Sequence, residues 1–140
     1  SLSTIKLRTD ASSGVLFHEM FHLLQSYTEQ ETWNGSALNR DVEAHLAQQI
    51  YINSLPRNEQ IWWREKSIKD ARWNAIRDLT RYIDENGKLR QEFNGGDLQE
   101  ALENEVIRSF RQVGYTENNY PWLDSRKGVY NFNTIRILSK

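Results

Sequence analysis

The chain contains no cysteine. That excludes disulfides and thiolate metal ligands together, and suits a cytosolic protein and a bacterial secreted one equally. It also has no surplus of either charge: 18 Lys and Arg against 19 Asp and Glu leave a net charge of −1. With no basic excess to neutralise phosphates, nucleic acid is not expected as the main partner. The two signs are dispersed among each other, the pattern of a solvated surface. No apolar run approaches the roughly 20 residues of a spanning helix, so no membrane segment is expected. Internal repeats and low-complexity segments are missing too. The first residue is Ser1 and no signal peptide is visible. One domain of 140 residues is therefore expected, as a piece of a longer protein or as a chain with its leader removed. Histidine is equally scarce, with His18, His22 and His45 alone.

Two of those three histidines lie in the most apolar stretch, residues 15–25, which reads V-L-F-H-E-M-F-H-L-L-Q. Its centre, His18-Glu19-Met20-Phe21-His22, is H-E-x-x-H, a metal-hydrolase pattern. At about 100° per residue the two imidazoles sit roughly 40° apart on a helix, one turn above each other, and can share one metal ion. Glu19 lies between them in order, about 60° of rotation beyond His22, within reach of a water on that ion. A helix this apolar on most sides is expected to be buried. Two histidines and a glutamate in such a setting call for partners or a metal.

A zinc site in a hydrolase usually takes three protein ligands. Without cysteine, the third is His45 or a carboxylate. Residues 39–51 read as a second helix, with Asp41 and Glu43 in its first turns, where anions are favoured. Glu43 and His45 differ by about 200° of rotation and cannot serve the same ion, whereas Asp41 lies nearly on the His45 face. The helix therefore offers either Glu43 or the Asp41/His45 face. Glu43 shares its side with Ala47, Ile50 and Ser54, a face that can be buried. His45 shares its side with Gln48, Gln49 and Ile52, a more solvated one. This contrast favours Glu43 and makes His45 a surface or outer-layer residue.

H-E-x-x-H followed by a glutamate on the next helix resembles the gluzincin group of metallopeptidases. The extended form H-E-x-x-H-x-x-Q, ending at Gln25, is similar to compact bacterial zincin domains found in secreted proteins and toxins. The resemblance spans residues 14–51. It implies Zn²⁺ held by His18, His22 and Glu43, with Gln25 orienting a ligand and Glu19 as the general base of peptide-bond hydrolysis. The substrate would be a peptide or protein. A gluzincin also places a tyrosine, histidine or arginine at the oxyanion. Here Tyr115, Tyr120, Arg126 and Tyr130 are the loop candidates, with Tyr120 and Tyr130 ranked first. The alternative is an inactive zincin scaffold that serves as a binding module.

Elsewhere the chain reads as further helices. Residues 3–8 alternate and are expected to form a strand, with the first helix over 13–30. Pro56 opens a helix carrying Ile61, Trp62 and Trp63. A start at Ser67–Asp70 leads into an amphipathic helix through Ile83, stopped at Asn86-Gly87. The three tryptophans 62, 63 and 73 are expected to pack. Residues 88–96 form a loop with a short extended piece at 89–93. A capping box at Asp97–Glu100 opens a last helix with Leu98, Leu102, Val106 and Phe110, closed by Gly114. Residues 115–128 are irregular, and 129–138 alternate as a strand that would pair with 5–8. The expected fold is thus α+β, mostly helical and zincin-like: four to five helices beside a small sheet of the N- and C-terminal strands.

Overall fold

The computed structural model describes residues 14–28, 38–86 and 88–122. In order these form α1 (Gly14–Thr28), α2 (Leu38–Asn53), α3 (Arg57–Ser67), α4 (Ala71–Leu79), α5 (Gly95–Ala101), a π-helical segment (Leu102–Ile107) and α6 (Arg108–Gln112). The α+β expectation is overturned. Among the described residues there is no strand, and the β feature present is one isolated antiparallel bridge between Ile83 and Leu89. The expected extended piece at 89–93 ends there because the chain turns at once, with Phe93 N donating to Arg90 O. The core is closed by helix packed on helix, so no sheet is needed to cover it. The two segments read as strands, 5–8 and 129–138, lie outside the described residues.

The central element is α2. Thirteen of its 16 residues are buried, on every side, so it is enclosed by neighbours rather than laid on a surface. It packs against α1, α3 and α4, and α4 packs in turn on the π segment and α6. Val42, Leu46, Ala47 and Ile50 give α2 its apolar contacts. Each large side chain among these contributes on the order of 1.5–3 kcal/mol through burial.

Over residues 14–25 of α1 the buried residues are Gly14, Phe17, Phe21 and Gln25, a stripe at spacings of three and four. Phe17 stacks on Tyr51 of α2 with ring centres 4.9 Å apart and planes 7° from parallel. The opposite face is not buried: Val15, Leu16 and Leu23 are 63%, 54% and 72% exposed. The expectation of a helix buried on most sides therefore fails. Gly14 lies directly under the Gln48 side chain of α2, since a Cβ there would lie 2.8 Å from Gln48 Nε2.

The second half of the bundle is set by caps and one change of winding. Asp70 caps α4 by accepting from Arg72 N, and Ile68, expected on the apolar face, is half exposed. The last helix begins earlier than expected, at a capping box formed by Asn94 and Asp97. Its apolar residues Leu98, Leu102, Val106 and Phe110 recur at intervals of four. An α-helix would rotate such a series by about 40° per step, away from one face. The wider π turns reverse that drift, so all four remain buried.

Candidate metal centre

The site lies between α1 and α2. Its geometry follows from the hydrogen bonds at the outer edge of each imidazole. Gln25 donates both amide hydrogens, to Glu43 Oε1 at 2.9 Å and to Arg40 O at 2.9 Å. Its oxygen is therefore an acceptor, and it lies 2.8 Å from His22 Nδ1. His22 Nδ1 must carry the hydrogen. On the other ring, Gln48 Oε1 lies 2.9 Å from His18 Nδ1, which donates to it in the same way. In the neutral rings each Nε2 then presents a lone pair.

Those two Nε2 atoms face each other at 3.1 Å. Asp41 Oδ1 lies 3.4 Å from His22 Nε2. Two imidazole nitrogens thus face each other with a carboxylate oxygen beside His22, an arrangement that a proton or a metal ion between them would relieve. Zinc ligands at 2.0–2.2 Å in a tetrahedron stand about 3.3–3.6 Å from one another. The 3.4 Å separation falls in that range and the 3.1 Å one lies just below it. Among the described residues, however, no group of three or more His, Cys, Asp or Glu side chains stands as a complete metal-holding set. What is present is an imidazole pair with a carboxylate at its edge.

The electrostatics favour a deprotonated His18. His18 is pushed down to about 4, chiefly by burial and then by the neighbouring His22, against the opposing pull of Gln48 and Glu19. Asp41 is pushed upward, mainly because burial disfavours its charge, although His22 and Arg40 pull the other way. A half-buried carboxylate close to a neutral imidazole is where a cation adds to stability.

The structure distributes the expected site residues as follows. His18, His22 and Gln25 stand together, with Gln25 on the Nδ1 side of His22. Glu43 is buried but reaches the site through Gln25, on the side of the ring away from the two Nε2 atoms. The expectation that Glu43 joins the imidazoles directly does not match this placement, and Asp41 is the carboxylate at the converging edge. Glu19 is exposed, yet close enough for its charge to act on both His18 and Asp41. Tyr120 is half-buried and packs on Tyr115, ring centres 4.7 Å apart. Tyr130 lies outside the described residues.

His45 is not the surface residue its neighbours suggested. It is 6% exposed, and its Nδ1 donates to Asp41 O at 2.7 Å. Its ring packs against His18, Trp73 and Phe110 at 4.7–4.8 Å between centres. Burial first, and His18 second, push it down to about 3. The sequence reading weighed Asp41, as part of the His45 face, and set it behind Glu43, and it gave Gln48 and Arg72 no role in the site. Asp41 had a signal, the spacing of four that puts it on the His45 face. Gln48 and Arg72 had none, because their roles depend on which helices meet. Compared with protein-family models, with curated proteins and with solved structures, the chain matches none, so its reading rests on its own residues.

Proposed function

We propose that His18, His22 and Asp41 hold a divalent metal ion, zinc by the chemistry of the donors, and that the chain hydrolyses peptide bonds with Glu19 as proton acceptor. The observation that supports this best is the facing pair of Nε2 lone pairs, each ring fixed from behind by a glutamine oxygen. Imidazole and carboxylate donors suit zinc. Asp41, whose Oδ1 lies 3.4 Å from His22 Nε2, would supply the third donor. Zinc bound there would acidify a water and polarise a carbonyl. Glu19, on the solvent side of α1, accepts the proton of the attacking water and returns it to the leaving amine. Gln48 and the Gln25–Glu43 pair keep both rings in the tautomer that leaves Nε2 open. The exposed side chains of Val15, Leu16 and Leu23 lie within about 100° of Glu19 around α1 and favour a substrate with apolar side chains beside the cleaved bond.

The test is zinc uptake by protein prepared without chelator, followed by cleavage of a mixed peptide library. The expected result is about one zinc per chain, cleavage by the parent chain, and Glu19→Gln with zinc retained and cleavage lost. Failure to take up zinc at micromolar concentration would end the proposal. A second reading follows from the position of the site at the α1–α2 contact: a metal that clamps the two helices of a non-enzymatic binding module. It predicts that removing the metal unfolds the protein while no peptide is cut.

A further inference from the structure

Away from the α1–α2 site, α3 meets solvent along most of its length. Only Ser67 of its 11 residues is buried. Its outer side nevertheless carries large apolar groups: Ile61 and Trp62 are 47% and 41% exposed, and Ile68, just past its end, is 50% exposed. The neighbouring Trp63 turns inward. Its indole N–H donates to Gln49 Oε1 at 3.2 Å, and its ring meets that of Trp73 at 4.9 Å. Among the described residues the Trp62 N–H has no such partner, and the Lys66 ammonium lies over the Trp62 ring at 5.6 Å. The expectation that all three tryptophans pack therefore fails at Trp62.

The same side is cationic. Residues 57–69 hold four Lys and Arg against two Glu, in a chain whose net charge is −1. Arg64, Lys66 and Lys69 are exposed, and among the described residues no salt bridge engages them. At about 100° per residue, Ile61, Arg64 and Ile68 form one row and Trp62, Lys66 and Lys69 the next. The excess continues onto α4. Arg77 donates to two neutral groups, Ser67 Oγ at 2.7 Å and Asn74 Oδ1, and burial and then the Arg64 charge push it down. The helix dipole accounts for Arg64 and Lys66 in the last turn of α3, but not for three large apolar side chains set among cations.

An acidic protein would neutralise the cations and leave Ile61, Trp62 and Ile68 to find separate pockets. A lipid surface takes both kinds of group at once, the cations at its phosphates and the indole at headgroup level. No helix among the described residues is long and apolar enough to cross a membrane, so α3 would lie on one rather than span it. We propose that the outer face of α3, with Ile61, Trp62 and Ile68 set among Arg64, Lys66 and Lys69, docks this protein on an anionic phospholipid surface. No residue of the α1–α2 site takes part, so the proposal stands or falls apart from the metal reading.

The experiment sediments the full chain with vesicles of phosphatidylcholine alone and with vesicles that are roughly one-third phosphatidylserine. Binding is expected with the second kind only, and it should weaken as salt is raised to about 0.5 M. The combined Arg64→Gln, Lys66→Gln and Lys69→Gln variant should bind about a hundredfold more weakly, and Trp62→Ala about tenfold, both folded by circular dichroism. Leu23→Ala, on the exposed arc of α1, should bind like the parent. Sedimentation with neither kind of vesicle, equal sedimentation with both, or a larger loss in Leu23→Ala than in Trp62→Ala overturns the proposal. Capture of the chain by polyglutamate with the vesicles left unbound also overturns it, and makes the occupant an acidic protein.

Discussion

Helices α1 and α2 face each other across the site and are built on opposite principles. The first is the most apolar segment of the chain, yet it leaves Val15, Leu16 and Leu23 in solvent. The second is far more polar, yet Glu43, His45, Gln48 and Gln49 are all buried in it. By hydrophobicity alone the roles would be reversed. The difference teaches that the polar residues of α2 are organised by what α1 presents to them. Gln48 meets His18, Asp41 meets His22, and Glu43 holds the Gln25 that orients His22. A buried polar group is tolerable when its partner is fixed, and here the partners come in pairs across the two helices. The apolar residues left outside on α1 are then a surface, not a core.

This contrast can be broken first at the ligand set. Asp41→Ala should weaken zinc affinity by more than roughly 100-fold, whereas Glu43→Ala should fall within the 10–100-fold range of an outer partner. Glu43→Ala should also lower stability by about 1–3 kcal/mol, because it strands the Gln25 amide. Zinc titration of both variants checks the order, and the opposite order would make Glu43 the ligand. Next in size is the inner face of α1. Phe21→Ala should lower the unfolding free energy by about 3–5 kcal/mol. A urea melt showing less than 1 kcal/mol would mean that α1 is not packed as described.

A third prediction concerns pH in the metal-free protein. His18 and His45 lie at about 4 and about 3 in the folded chain, against 6.5 ordinarily. The unfolded chain therefore binds more protons below about pH 6.5, and stability should fall steadily as pH drops from there toward 4. Asp41, shifted upward from 3.8, acts in the opposite sense over the range just above that value. Denaturation midpoints at pH 7.5 and pH 5 should differ, with pH 5 the lower, and His45→Gln should reduce the gap. Equal midpoints would show that the rings are not buried and neutral. The smallest effect belongs to the outer face: Leu23→Ala should change stability by less than about 0.5 kcal/mol. A large loss there would mean that the exposed arc of α1 is covered.

Much of the bundle was legible in the residues themselves. The H-E-x-x-H helix, the polar-studded second helix and the helix opened by Pro56 all appear where their periodicity indicates. The π segment was readable in principle, from the strict interval of four between Leu98, Leu102, Val106 and Phe110. The choice between the two faces of α2 was not readable. Both faces are buried, so the contrast used to prefer Glu43 over Asp41 has no counterpart in the packing.

The residue order by itself determined that His18 and His22 share one side of a helix, with Glu19 beside them. A turn of 3.6 residues leaves no other outcome once the segment is helical. Only the tertiary structure decided that Asp41 meets His22 and that Glu43 stands behind it through Gln25. That depends on the rotation of α2 against α1, which Gly14, Phe17 and Tyr51 settle by contact. Rotation about a helix axis is a packing variable, and no interval along the chain encodes it.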